Sequence, residues 1–340
     1  MTSYVVLFLF LVLVGSVAYD DNRTVGSLPL SWQRNPDNPL SLPQYSGVSV
    51  VHPDVMYFPS GKDGYKFWMV YTPSADLQPD YAENPCVVRS NDGVSWTDSG
   101  INNPVVPRGS GPWNQDHPAD PDWLYVSEYD KWFLVWGVCP RVGEINMAFT
   151  YSLDGKNWNL SVNWGFDSPV LIQEACEATM IFRNGKFHLL YCVPFGYGWQ
   201  ITEVRYVTFE WDNNNNKVVG MRQHDSWLAP PTVEYPNGTG HINLVQAGTT
   251  FYLIAPRKIS ETTSLYCWKA NSLSLGAFEN YGTLLRSDSG WDAWYIYRSS
   301  LLQDGEGNLI SVDGKYWLYY SGYAHSRPMI HIGFATAPAG

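Results

Sequence analysis

Basic charge is scarce in this 340-residue chain: Lys and Arg total 21 against 32 Asp and Glu, a formal net charge of −11. That balance argues against electrostatic binding to nucleic acid or to an anionic membrane surface. Cysteine is scarce as well, with five in all, and no CxxC or Cys/His spacing suggests a structural zinc site. If the compartment is oxidising, Cys176 and Cys192 are the expected disulfide, since they flank one short hairpin. No long amphipathic helical pattern occurs. After the N-terminus no apolar run is long enough to cross a bilayer. The one continuous apolar stretch, Val5 to Val14, leads into the small residues Gly15-Ser16-Val17-Ala18. It reads as a secretory signal over residues 1–18, so the protein is expected to be secreted and extracellular.

Aromatics are plentiful, at 16% of residues with 16 Trp and 23 Tyr. They recur in an ordered way. A strand of the form aromatic-x-Leu/Met-x-aromatic appears as Phe67–Tyr71, Trp132–Trp136, Phe187–Tyr191 and Tyr316–Tyr320, with a weaker copy at Phe251–Ala255. Each copy follows a turn, and each turn follows another short strand. Repeats of roughly 55–70 residues made only of strands predict a propeller. The expected fold is all-β, a five-bladed β-propeller with four-stranded antiparallel blades. Residues 19–47, rich in Pro, Asn and Ser, form a lead-in that could supply a closing strand. Residues 48–340 form the propeller. The units Ser90-Asn91-Asp92-Gly93-Val94-Ser95-Trp96 and Ser152-Leu153-Asp154-Gly155-Lys156-Asn157-Trp158 are expected to be tight turns with an aromatic plug between sheets.

In a propeller the first strand of each blade lines the central channel. Read by period 2, those strands begin at Asp54, Asp122, Glu177, His241 and Arg298. Three carboxylates beside a His and an Arg suit glycoside hydrolysis. One acid must carry a proton to the leaving oxygen, one carboxylate must stay ionised, and a third can raise its neighbour's pKa. His52 and His117 precede channel carboxylates and could bind sugar hydroxyls or hold an Asp. Asp120 competes with Asp122, and Glu174 with Glu177. Glu83 could reach over the pocket. Trp123 and Trp199 stand near strand starts, where sugar platforms are needed.

These motifs resemble the five-bladed propeller glycosidases of glycoside hydrolase family 43, over about residues 48–338. The resemblance implies Asp54 (in His52-Pro53-Asp54-Val55) as base and Asp122 (in Asp120-Pro121-Asp122-Trp123) as pKa modulator. It implies Glu177 (in Cys176-Glu177-Ala178-Thr179) as acid, with inversion at the sugar. His241 and Arg298 fall where the family places its blade-four His and blade-five Arg. The Trp-Met-Asn-Asp-Pro-type motif of related sucrose-cleaving propellers is absent. The implied function is a secreted glycosidase acting on a polysaccharide or oligosaccharide, arabinose- or xylose-containing sugars among the candidates. A monomer is expected, with no nucleic-acid or membrane partner. No cofactor is required, although His241 could help hold a central Ca²⁺ as in some relatives. A propeller lectin and a polysaccharide lyase are the competing readings.

Overall fold

Strands dominate the computed structural model, which describes residues 27–45, 49–74, 83–109, 117–139, 145–160, 171–194, 201–228, 240–259, 262–288, 290–324 and 327–340. Two strands build most of each aromatic hairpin. Blade 1 holds β2 (Ser49–Lys62), β3 (Tyr65–Ser74) and β4 (Cys86–Ser90); blade 2 holds β5 (His117–Val126), β6 (Lys131–Cys139) and β7 (Asn146–Ser152). Blade 3 holds β8 (Cys176–Arg183), β9 (Lys186–Pro194), β10 (Ile201–Asp212) and β11 (Lys217–Leu228). Blade 4 holds β12 (Asn243–Ala247), β13 (Thr250–Ile259), β14 (Thr262–Ala270) and β15 (Glu279–Arg286). Blade 5 holds β16 (Tyr295–Leu301), β17 (Lys315–Ala324) and β18 (Arg327–Pro338), and its outer strand is β1 (Gln33–Arg34) from the N-terminal side. The lead-in therefore does close the ring, with Arg34 opposite Ala335 and its Nε 2.8 Å from the buried Asp292.

The expectation of four strands per blade holds for three blades. Among the described residues, blades 1 and 2 have three-stranded sheets. After each Ser-x-Asp-Gly turn the returning chain makes single bridges instead, Arg89 with Thr97 and Ser152 with Trp158. The turns themselves are as expected. Asp92 Oδ1 accepts from the N–H groups of Val94 and Ser95, and Asp154 Oδ1 from those of Lys156 and Asn157. Gly155 is left-handed (φ +71°), and a Cβ there would lie 2.8 Å from the Trp132 ring. Trp96 packs edge-on against Phe67 of blade 1 and Tyr319 of blade 5, so the plug seals a blade-to-blade seam.

Two devices shape the channel. The first is a ring of hydrogen bonds in which each inner strand donates one N–H to a side chain of the preceding blade. Trp123 donates to Asp54 Oδ2 (3.0 Å), Met180 to Asp122 Oδ1 (2.9 Å) and Leu244 to Thr179 Oγ1 (2.9 Å). Leu301 donates to Asn243 Oδ1 (3.1 Å), and Val55 closes the circle on Ser300 Oγ (3.0 Å). The second is a floor. The segment from Gln303 to Leu309 crosses the lower end, and its carbonyls take an N–H from every other blade. Tyr57 donates to Gln303, Tyr125 to Gly305, Phe182 to Glu306 and Gln246 to Gly307. The half-buried Asp304 braces this segment by accepting from the N–H groups of Glu306 and Asn308. The floor closes the lower end of the channel beneath the inner-strand side chains.

The disulfide expected between Cys176 and Cys192 is not formed. The two face each other across β8 and β9, but both are thiols, and Cys176 Sγ lies 3.6 Å from the Cys192 carbonyl.

Candidate functional site

The hydrogen-bonded ring fixes which residues are equivalent. Asp54, Asp122, Thr179, Asn243 and Ser300 occupy one layer, because each accepts from the next blade at the same height. Two residues earlier along each strand stand His52, Asp120, Glu177, His241 and Arg298. This is the layer above. The row read from sequence as Asp54, Asp122, Glu177, His241 and Arg298 is therefore two residues out of register in blades 1 and 2. Counting back from the hairpin turn fails there because the hairpins differ in length.

The upper layer is built by bulges. Pairing skips from Val51 to Asp54, from Ala119 to Asp122 and from Cys176 to Thr179. His52, Asp120, Glu177 and His241 all have left-handed backbones, with φ of 55°, 50°, 50° and 51°. Non-glycine residues in that region cost about 1–2 kcal/mol each. Bulges of this kind re-aim side chains and cluster beside active sites. Pro53 and Pro121 sit within the bulges, where no ladder N–H is required.

The re-aimed side chains converge. His52 Nε2 lies 3.1 Å from Asp120 Oδ1, and His241 Nδ1 lies 3.4 Å from the same oxygen. All three atoms are buried and have no hydrogen-bond partner among the described residues. The opposite edge of each imidazole is engaged. His52 Nδ1 is 2.7 Å from Thr72 Oγ1 and 3.3 Å from Glu83 Oε2. His241 Nε2 is 3.4 Å from Glu177 Oε1, whose partner oxygen accepts the His241 backbone N–H at 2.8 Å. Tyr297 packs against His241, with ring centroids 3.8 Å apart.

One donor atom from each of His52, Asp120 and His241 lies within 4.8 Å of the other two. Metal–ligand bonds of about 2.0–2.2 Å place neighbouring donors roughly 3.0–3.4 Å apart, so the gaps around Asp120 Oδ1 suit one ion. Two imidazoles and a carboxylate match zinc or another transition ion better than the all-oxygen shells of Ca²⁺. The engaged far edges are the partners that metal-ligating histidines need to fix their tautomer. The donor set thus fits a divalent cation.

Electrostatics follow from burial. Burial holds His52 neutral, its pKa pushed down to about 3, with the Asp120 charge acting the other way. Burial works against Asp120 too, yet His52, His241 and Arg298 hold its carboxyl well below the usual range. Burial lifts Glu177, and His241 offsets part of that. His241 is raised because the Glu177 and Asp120 carboxylates outweigh its desolvation. In the layer below, burial and then the Asp54 charge lift Asp122 well above an ordinary carboxylate. Burial also lifts Asp54, against the Trp123 N–H and the Arg298 charge.

The remaining expected site residues divide cleanly. Arg298 belongs to the upper row but points down, donating to the Ala178 carbonyl (3.2 Å) and lying 3.6 Å from Asp122 Oδ2. Asp54 is occupied on both oxygens, by Trp123 N–H on one and by Ser300 and Gln303 on the other. Trp123 is not a sugar platform: it is fully buried, packed at a tilt against Trp132, with Nε1 bonded to the Asp54 carbonyl. Glu174 lies in the segment leading to β8, its N–H donating to Asn146 Oδ1. His117 opens β5, but its side chain, like all of Trp199, lies outside the described residues. Sequence reasoning missed Thr72, Cys192 and Gly240 as neighbours of the site. Their only signal was position, opposite or beside bulges the sequence does not mark.

Residues 33–229, more than half the chain, match the model of the family described as "Glycosyl hydrolases family 32 N-terminal domain". The chain belongs to that family. Its fold is that of the five-bladed propeller clan. Over 143 residues it is 31% identical to the A type blood N-acetyl-alpha-D-galactosamine deacetylase of Flavonifractor plautii. That stretch takes in 40% of this chain and only 18% of the relative's length. Among solved structures, an N-acetylgalactosamine deacetylase from F. plautii, in complex with blood group B trisaccharide, superposes with a TM-score of 0.67 at 20% identity. The match covers 90% of this chain and 95% of that one. The catalytic domain of the Coprinopsis cinerea GH62 alpha-L-arabinofuranosidase superposes at 0.64 and 14% identity, over 91% and 98% of the two chains. At such identities these likenesses establish the fold.

Proposed function

We propose that this glycoside hydrolase is secreted and works in the upper layer of its channel, with a divalent cation held by His52, Asp120 and His241. The observation that carries the reading is the convergence of His52 Nε2, Asp120 Oδ1 and His241 Nδ1, all buried and without hydrogen-bond partners. Bound there, a divalent cation would polarise a substrate oxygen and make a neighbouring water more acidic. To Glu83, 31% exposed by side chain and 3.3 Å from His52 Nδ1, we assign proton exchange with substrate. Arg298 lies between Asp120 and Asp122 and offsets carboxylate charge there.

The family pattern would give the base's role to Asp54. Its two oxygens already accept from Trp123, Ser300 and Gln303 in the closed lower layer, so we assign the chemistry to the upper layer instead. A glycosidic bond in a polysaccharide or oligosaccharide is the target that family membership supports, with inversion expected from the family resemblance. A second reading is hydrolysis of the acetamido group of an N-acetylated amino sugar. It is favoured by the donor trio, which suits metal-assisted amide hydrolysis, and by the 31% stretch shared with a deacetylase. Secretion is supported by the apolar run ahead of Ala18.

The test is an assay of the purified protein on a panel of plant and N-acetylated glycans, recording reducing ends and free acetate separately. Chelator should abolish turnover, and Zn²⁺, Mn²⁺ or Co²⁺ should restore it. Reducing ends support the first reading and acetate the second. Turnover indifferent to exhaustive chelation would overturn the cation.

A further inference from the structure

Glu177 is the carboxylate that family resemblance makes a proton donor, yet its surroundings leave it little access to a sugar. It is 2% exposed. Its Oε2 accepts the His241 backbone N–H at 2.8 Å, and its Oε1 faces the ring Nε2 of the same residue at 3.4 Å. The third side is Gly240, where an added Cβ would stand 2.2 Å from Oε2. The fourth is the buried Cys192 thiol, which hydrogen-bonds to the Glu177 side chain. Every neighbour is a donor or a wall. Both oxygens face His241, and the Cys192 thiol adds a further donor.

We infer that Glu177 is a positioning residue: it grips His241 by backbone and ring so that the Nε2–H tautomer is fixed and the Nδ1 lone pair is presented beside Asp120. The inference rests on the cation reading above for its purpose, but the grip itself is a property of the two residues. A ring held this way can ligate only through Nδ1, which is the orphaned atom facing Asp120. Thr72 does the converse for His52, engaging Nδ1 and leaving Nε2 towards the same oxygen. With Thr72 and the Glu83 carboxylate accepting at His52 Nδ1, the two histidines would take opposite tautomers and their lone pairs would meet. The geometry also explains Gly240, since any side chain there would displace the carboxylate.

Two variants test this in different ways. Glu177→Gln keeps the shape but has one acceptor oxygen for the two His241 donors and the Cys192 thiol. If the amide oxygen keeps the backbone bond, the NH₂ faces the ring, which must then accept at Nε2 and carry its proton on Nδ1. Gly240→Ala leaves Glu177 chemically intact and pushes it aside. In metal-free protein, at a pH where the ring is neutral, long-range ¹H–¹⁵N spectra should show His241 protonated at Nε2 in the wild type. In Glu177→Gln the proton should move to Nδ1. Co²⁺ titrations followed by visible absorption should show affinity falling about 10–100-fold in both variants, with an altered spectrum, while thermal unfolding confirms that each is folded. An unchanged His241 tautomer in Glu177→Gln, or full Co²⁺ affinity in both variants, would overturn the inference. A wild type that binds no Co²⁺ but shows the predicted tautomer change would refute the cation and leave the grip standing.

Discussion

Two layers of the same channel, two residues apart on every inner strand, put similar side chains to opposite uses. The lower layer, Asp54, Asp122, Thr179, Asn243 and Ser300, spends its acceptors on the next blade's N–H groups. The upper layer, His52, Asp120, Glu177, His241 and Arg298, gathers His52 Nε2, Asp120 Oδ1 and His241 Nδ1 face to face without hydrogen-bond partners among the described residues, as it also leaves two nitrogens of Arg298. An Asp in the lower layer is a fastener between sheets. In the upper layer it is the hub of a constellation. Side-chain identity does not distinguish the roles. The backbone does, through left-handed bulges that re-aim the upper residues.

The largest expected effect is on Asp120. Asp120→Asn should cut cation affinity and turnover by more than about 100-fold, beyond what changes to the residues that orient the donors cause. Its melting temperature should stay near that of the wild type, and a variant as active as the parent would dissolve the distinction between layers. Asp54→Ala should do the reverse. It strands the Trp123 N–H and the Gln303 amide without an acceptor and leaves Ser300 only the Leu301 carbonyl, at about 3 kcal/mol by denaturant unfolding. The folded fraction should keep its cation affinity, and loss of that affinity at unchanged stability would place Asp54 in the site. Thr179→Val removes an uncharged acceptor from the same ring and should cost about 1–2 kcal/mol. Gly155→Ala, remote from both layers, should cost about 1–2 kcal/mol through its left-handed backbone and the Trp132 contact, with turnover unaltered.

Much of the scaffold was legible in the sequence because packing repeats. The aromatic strands β3, β6, β9, β13 and β17 carry the same pattern, and the Ser-x-Asp-Gly-x-x-Trp turns announce themselves. The candidate site was half legible. Glu177, His241 and Arg298 were placed in their row, while blades 1 and 2 were entered at Asp54 and Asp122. A better anchor was available: Val55, Trp123, Met180, Leu244 and Leu301, each three residues after an upper-layer side chain, supply the ring's N–H groups. The bulges themselves carry no glycine signal, since His, Asp and Glu occupy the left-handed positions. Thr72, Cys192 and Gly240 join the site only through strand pairing and loop approach. Trp123 reads as a sugar platform by type, and only packing shows that it is interior.

The upper layer as a cation-holding centre is tested most directly by the metal content of the chelator-stripped protein after dialysis against Zn²⁺, measured beside Asp120→Asn and Asp54→Ala. One equivalent should be retained by the wild type and by the folded fraction of Asp54→Ala, and almost none by Asp120→Asn. Equal retention by all three, or none by the wild type, would contradict the account.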